Sequence, residues 1–170
     1  MTMLAPNIMS VEDYLEFEKT AEVRHEYVDG ILLEMPGVSR QHSRIVINIV
    51  KALDDIALAK GCELHPTEVM TRTHRTRFRY PDIVVTCAPG DHTHILENPC
   101  FLVEVTSDST SDTDHGPKLE EYTRLPSMQC YAIVSQTRVR SSSTNEKRIA
   151  GHSRCSSRRA RLTSPAWTRH

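Results

Sequence analysis

A chain of 170 residues, 38% hydrophobic and 25% charged with a net charge of −1, can build one domain with a real core and is too short for two comfortable ones. No apolar run reaches the ~20 residues that span a bilayer. The opening MTMLAPNIMS lacks a basic flank with an apolar stretch, so the expectation is a globular protein of the cytoplasm with no membrane partner. The five cysteines (Cys62, Cys87, Cys100, Cys130 and Cys155) are odd in number and form no C-x-x-C pair. Four lie in or near apolar segments, which favours free buried thiols over disulfides or a zinc site.

In chain order, SVEDYLEFEK offers Ser10 as an N-cap with Asp13 three residues on, and apolar Val11, Tyr14, Leu15 and Phe17 at helical spacing. RHEYVDGILLEM reads as two short strands about the turn Asp29-Gly30. From His42 to Lys60, Val46, Ile49, Leu53 and Ile56 recur at three- and four-residue steps and Gly61 follows as a stop, the clearest helix in the chain. CELHPTEVMTR and RFRYPDIVVTC then read as strands, PCFLVEVTS as another, and SDSTSDTDHG as a polar loop. PKLEEYTRL is a helix with Pro117 in its first turn, broken by Pro126, and MQCYAIVS is a last strand. The pattern predicts an α/β domain of the α+β kind, a mixed sheet flanked by helices.

The small net charge conceals a split at Gln136. Residues 1–136 carry 12 Lys and Arg against 21 Asp and Glu, a balance of −9, and residues 137–170 carry 9 against one, a balance of +8. An acidic body gives no overall field that draws nucleic acid, so any such contact has to be local. The segment 137–170, dense in Ser and Arg and without apolar periodicity, reads as a basic nucleic-acid arm, an unstructured extension or the product of a reading-frame shift. The last is favoured, because the chain stops looking foldable within a strand-rich region.

Two apolar strands each carry one acid, Asp82 in RYPDIVV and Glu104 in FLVEVTSDST. Alternation puts Glu104 on the face of Leu102 and Thr106, opposite Phe101, Val103 and Val105. Pro81 cannot donate to a ladder and marks a strand start or edge at Asp82. A carboxylate in such a strand is costly to bury unless partnered. Either each acid meets an arginine or a backbone group, or both converge on one hard cation, since Mg²⁺ takes one or two carboxylates with waters and phosphate oxygens.

Pro81-Asp82 followed by Glu104 in VEV resembles the PD-(D/E)xK nuclease superfamily. MSVEDYLEFE, RHEYVDGILLEMPG, His42 opening a long helix, YPDIVV, FLVEVTSDSTSDTDHGPKLEEY and a closing YAIVS together resemble, in content and order, its Uma family of proposed restriction endonucleases, over about residues 10–136. The resemblance implies a restriction-endonuclease-like core and Mg²⁺- or Mn²⁺-dependent hydrolysis of DNA, with Asp82 and Glu104 as metal ligands and catalytic acids. It also implies a homodimer. The superfamily's lysine usually lies two residues after the second acid, where this chain has Thr106. The Uma pattern displaces it to the next helix, which assigns the role to Lys118. It further implies Glu26 as a supplementary acid. His42 either touches the site or caps its helix, and Tyr122 either packs or holds a phosphate. The alternative function is a binding or structural module that keeps the nuclease fold without turnover.

The remaining constellations are weaker. Asp114, four residues before Lys118, suits a helix N-cap better than a ligand, and Ser107 suits loop structure as well as a bond to Glu104. His92 and His94 in DHTH have a spacing seen in some metal sites, but with no further ligands identifiable the stretch reads as an exposed loop. Arg75, Arg77 and Arg79 in THRTRFRY share one face if extended, as phosphate contacts near Asp82 or as a solvated edge.

Overall fold

The computed structural model of the chain describes residues 8–88, 90–106 and 116–136. Ser107, Asp114, Cys155 and the basic segment 137–170 lie outside the described residues.

Helix α1 (Val11–Thr20) is capped by Ser10, whose side-chain oxygen accepts from the Asp13 amide. Its Tyr14 ring stacks on Tyr27 with centroids 4.7 Å apart and meets Phe78 at 5.5 Å. Strands β1 (His25–Val28) and β2 (Ile31–Glu34) form the expected hairpin. Asp29 and Gly30 have φ of 50° and 96°, the left-handed pair that a tight hairpin turn requires. Helix α2 (Arg40–Ala59) begins two residues before His42, because Ser39 caps it through the His42 amide. Gly61, at φ 69°, follows its end.

The main departure from the sequence reading is that the strands divide between two sheets. CELHPTEVMTR breaks into β3 (Glu63–Pro66) and β4 (Met70–His74) at Thr67 and Glu68, both with positive φ. RFRYPDIVVTC breaks into β5 (Arg77–Arg79) and β6 (Ile83–Thr86) at Tyr80-Pro81-Asp82, where proline offers no donor. With β7 (Ile95–Leu96), the first sheet runs β2-β1-β5-β4-β7; with β8 (Pro99–Thr106) and β9 (Cys130–Ser135), the second runs β3-β6-β8-β9. Each is antiparallel except for one parallel pair, β4 with β7 and β8 with β9, so the α+β character holds. The two crossings are tied together, Thr67 donating its amide to the Asp82 carbonyl at 2.8 Å.

The second sheet is apolar on both faces. Ile83, Val103 and Val105 pack with Val46 of α2, and Ile45, Ile49 and Val50 complete that layer. On the other face Val84, Leu102, Tyr131 and Ile133 cluster with Tyr122. Tyr122 belongs to α3 (Pro117–Thr123), which has Gly116 at its N-cap position.

Two expectations are corrected. Cys62 and Cys87 are joined in a disulfide. Glu63 pairs with Thr86 at the end of the β3–β6 ladder, so one further step of that register sets the two cysteines opposite each other, a pairing that no local pattern reveals. Cys100 and Cys130 stay outside that bond and are half-buried, and the Cys100 sulfur lies 3.5 Å from that of Cys87. The arginines form neither a phosphate-facing row nor a solvated edge. Arg75 sits in the β4–β5 turn, while Arg77 and Arg79 lie on β5, between β1 and β4, and face carboxylates.

Candidate active site

The two strand acids come together because the chain changes sheets beside them. Asp82 stands at the crossing from β5 to β6. Ile83 pairs with Val103, so continuing that ladder by one residue brings Asp82 across from Glu104. Glu104 leaves β8 on the Leu102 side, as alternation predicts, and is 5% exposed. Glu26 arrives from β1 of the other sheet, and α3 supplies Lys118 and Tyr122 between them.

Lys118 is the junction. Its ammonium lies 3.0 Å from Glu26 Oε1 and 3.2 Å from Glu104 Oε1. The Tyr122 hydroxyl also donates to Glu104 Oε1, at 3.0 Å, while its ring meets Tyr131 edge-on at 5.0 Å. Tyr122 therefore packs and hydrogen-bonds at once. Burial, reinforced by the charge of Glu104, holds its phenol well above the usual range, so it stays a neutral donor. Asp82 turns to other partners: its Oδ2 accepts the Val105 amide at 2.6 Å and lies 3.0 Å from His42 Nε2. His42 thus touches Asp82 and leaves the capping to Ser39. His92 and His94 are exposed and join no ligand group.

Arg79, expected at a phosphate or a solvated edge, and Glu121, which the sequence did not single out, complete the cluster. Arg79, buried on β5, donates to Glu26 Oε2 at 2.8 Å and to both oxygens of Glu121, at 3.1 and 2.8 Å. Glu121 is one turn from Lys118 on α3. It also accepts from Thr73 and from Arg77 at 3.4 Å. Burial opposes its charge, but the hydrogen bonds and charge of Arg79 outweigh that, and its carboxyl is held below the ordinary 4.5. Burial likewise opposes the charge of Arg79, and Glu121 and Glu26 reverse it, raising its pKa. Part of the signal was present in the sequence, since the i, i+3 spacing of Lys118 and Glu121 puts them on one helix face.

Among the described residues, no group of three or more His, Cys, Asp or Glu side chains is arranged to hold a metal. The donor chemistry nonetheless suits a hard cation, for which two carboxylates with waters suffice. Buried Glu26 Oε1 also makes no hydrogen bond among the described residues. Lys118 meets it as an ion pair at 3.0 Å. His42 Nδ1 is the other buried polar atom without a partner among the described residues.

Residues 11–156 match the Uma2 family, described as putative restriction endonuclease. The chain belongs to the Uma2 family. This Uma2 chain is 34% identical over 134 residues to the uncharacterized protein slr1290 of Synechocystis sp., covering 77% of the chain and 70% of that protein. It is 23% identical over 141 residues to the uncharacterized protein sll1609 of the same organism, covering 80% of each. Its fold resembles the crystal structure of a putative nuclease belonging to DUF820 from Anabaena variabilis. The TM-score is 0.62 at 18% identity, covering 75% of this chain and 74% of that one. The Uma2 match continues past Gln136, and no helix among the described residues is long and apolar enough to cross a membrane.

Proposed function

We propose that the protein is a metal-dependent nuclease that hydrolyses DNA phosphodiester bonds at the seam between its two sheets. Asp82 and Glu104 are the residues that would hold Mg²⁺ or Mn²⁺, with Glu26 assisting. The ion would supply Lewis-acid stabilisation of charge on the phosphate. Lys118, between Glu26 and Glu104, orients the attacking water and offsets negative charge developing on the phosphate oxygens. Tyr122 fixes the orientation of Glu104. His42 and the Val105 amide fix Asp82. The observation that carries this reading is the meeting of two acids from different sheets on one buried lysine.

The test is cleavage of supercoiled plasmid DNA in Mg²⁺ or Mn²⁺ by the protein and by its Asp82→Ala and Glu104→Ala variants. Cleavage by the parent is expected to fall at least about 100-fold in either variant, the scale of losing a principal catalytic group, while circular dichroism stays native. Variants that cut like the parent overturn the assignment. A parent that binds the ion without nicking any DNA favours a nuclease-fold binding module instead.

A further inference from the structure

Glu121 and Arg79 have no part in the chemistry just described, yet they are among the most enclosed charges in the protein. The Arg79 side chain is 3% exposed and so is that of Glu121. A guanidinium has five donors in a rigid fork. Here Nε and Nη2 engage the two oxygens of Glu121, and Nη1 is left to reach Glu26 Oε2. That contact occupies one oxygen of Glu26 and turns the other, Oε1, towards Lys118.

From these contacts we infer that Arg79 and Glu121 form a clamp that positions two site residues at once, Glu26 from the first sheet and Lys118 from α3. The inference rests on the metal-site reading above. Glu121 and Lys118 share one face of a short helix, so anchoring Glu121 to β5 fixes the rotation of α3 and hence the reach of the ammonium. Thr73 of β4 and Arg77 of β5 hold the same carboxylate from the side, so the anchor belongs to the first sheet while Glu104 belongs to the second. The clamp therefore sets the spacing of acids that no single sheet contains. Charge balance gives Arg79 a second task. Glu26, Glu104 and Glu121 are three buried carboxylates, and without the guanidinium Lys118 would be the one buried lysine or arginine against them among the described residues.

A clamp of this kind acts through orientation, which separates it from a charge that merely stabilises the fold. Arg79→Lys keeps the charge but cannot grip both Glu121 oxygens and Glu26 together. Glu121→Gln keeps the shape and loses one arm of the ion pair. Calorimetric titration with Mn²⁺ alone, without DNA, reads the site directly, with circular dichroism confirming that each variant is folded at the titration temperature. Each variant is expected to bind Mn²⁺ about 10- to 100-fold more weakly than the parent, the usual cost of removing a partner that orients a metal ligand. Glu26→Gln should weaken binding comparably, and combining it with Arg79→Lys should add little, because the clamp acts through Glu26. Folded Arg79→Lys and Glu121→Gln variants that bind Mn²⁺ like a binding-competent parent overturn the clamp and leave the metal site standing. A parent that binds no Mn²⁺ overturns the metal-site reading, and the clamp with it.

Discussion

The two sheets solve opposite problems with the same helix between them. The four-stranded sheet meets α3 through Val84, Leu102, Tyr131 and Ile133, an apolar layer into which Tyr122 fits, and admits one charge, Glu104. The five-stranded sheet meets α3 through buried Thr73, Arg79 and Glu26 and half-buried Arg77, a polar layer that grips Glu121 and Lys118. Apolar contact is non-directional and tolerates small shifts. A guanidinium fork fixes angle as well as distance. The apolar side thus supplies most of the adhesion, and the charged side decides where the lysine sits.

The largest expected effect comes from breaking the apolar side. Leu102 is 0% exposed, and Leu102→Ala should cost about 2–5 kcal/mol, from lost transfer energy and the cavity left behind. Urea unfolding at neutral pH measures it. A cost below about 1 kcal/mol would show that the layer relaxes around the gap, and the division of labour between the sheets would lose its basis.

The fold was legible where the information is local. The Ser10 cap, the Asp29-Gly30 turn, the amphipathic α2 and the alternating faces of β8 each depend on residues a few positions apart. Glu104 was placed correctly for that reason. What stayed hidden is non-local. Periodicity describes a strand without naming its neighbours, so CELHPTEVMTR and RFRYPDIVVTC read as single strands although each crosses from one sheet to the other. The same blindness concealed the Cys62–Cys87 pairing and turned Arg79 into a surface candidate. Within the candidate site, Glu104 was singled out from its strand and Glu26 and Lys118 by resemblance, and the three do lie together. Their meeting depends on a sheet boundary that no single segment announces.

The disulfide offers a second, intermediate way to separate the two sides. It closes a sequence separation of 25 residues within the four-stranded sheet, and a loop of that length is worth about 3.5 kcal/mol in the chain-entropy account. Reduction with dithiothreitol, or Cys62→Ser with Cys87→Ser, should lower the unfolding free energy by roughly that amount. Because the bond joins β3 to the end of β6, away from the charged layer, Mn²⁺ binding by the reduced protein should be unchanged. Loss of binding on reduction would mean that the two sheets are coupled more tightly than this contrast allows.

The subtlest test uses acid, which should act on the charged side alone. Glu121 has its carboxyl held below the ordinary 4.5 in the folded protein, so the unfolded chain takes up its proton first as pH falls. The stability this provides is complete above about pH 4.5, the unfolded value, and drains away as pH drops through the lower, folded value. Urea midpoints between pH 7 and pH 3 should therefore decline in the parent. Glu121→Gln has nothing to titrate there, so its curve should start lower and fall less steeply over the acid range. Leu102→Ala should instead shift the whole curve downward at the parent's slope, since no proton is linked to the lost packing. Parallel curves for Glu121→Gln and the parent would mean that other carboxylates, Asp29 among them with its carboxyl lowered by Arg77, carry the acid sensitivity, and that the grip on Glu121 contributes orientation without measurable stability.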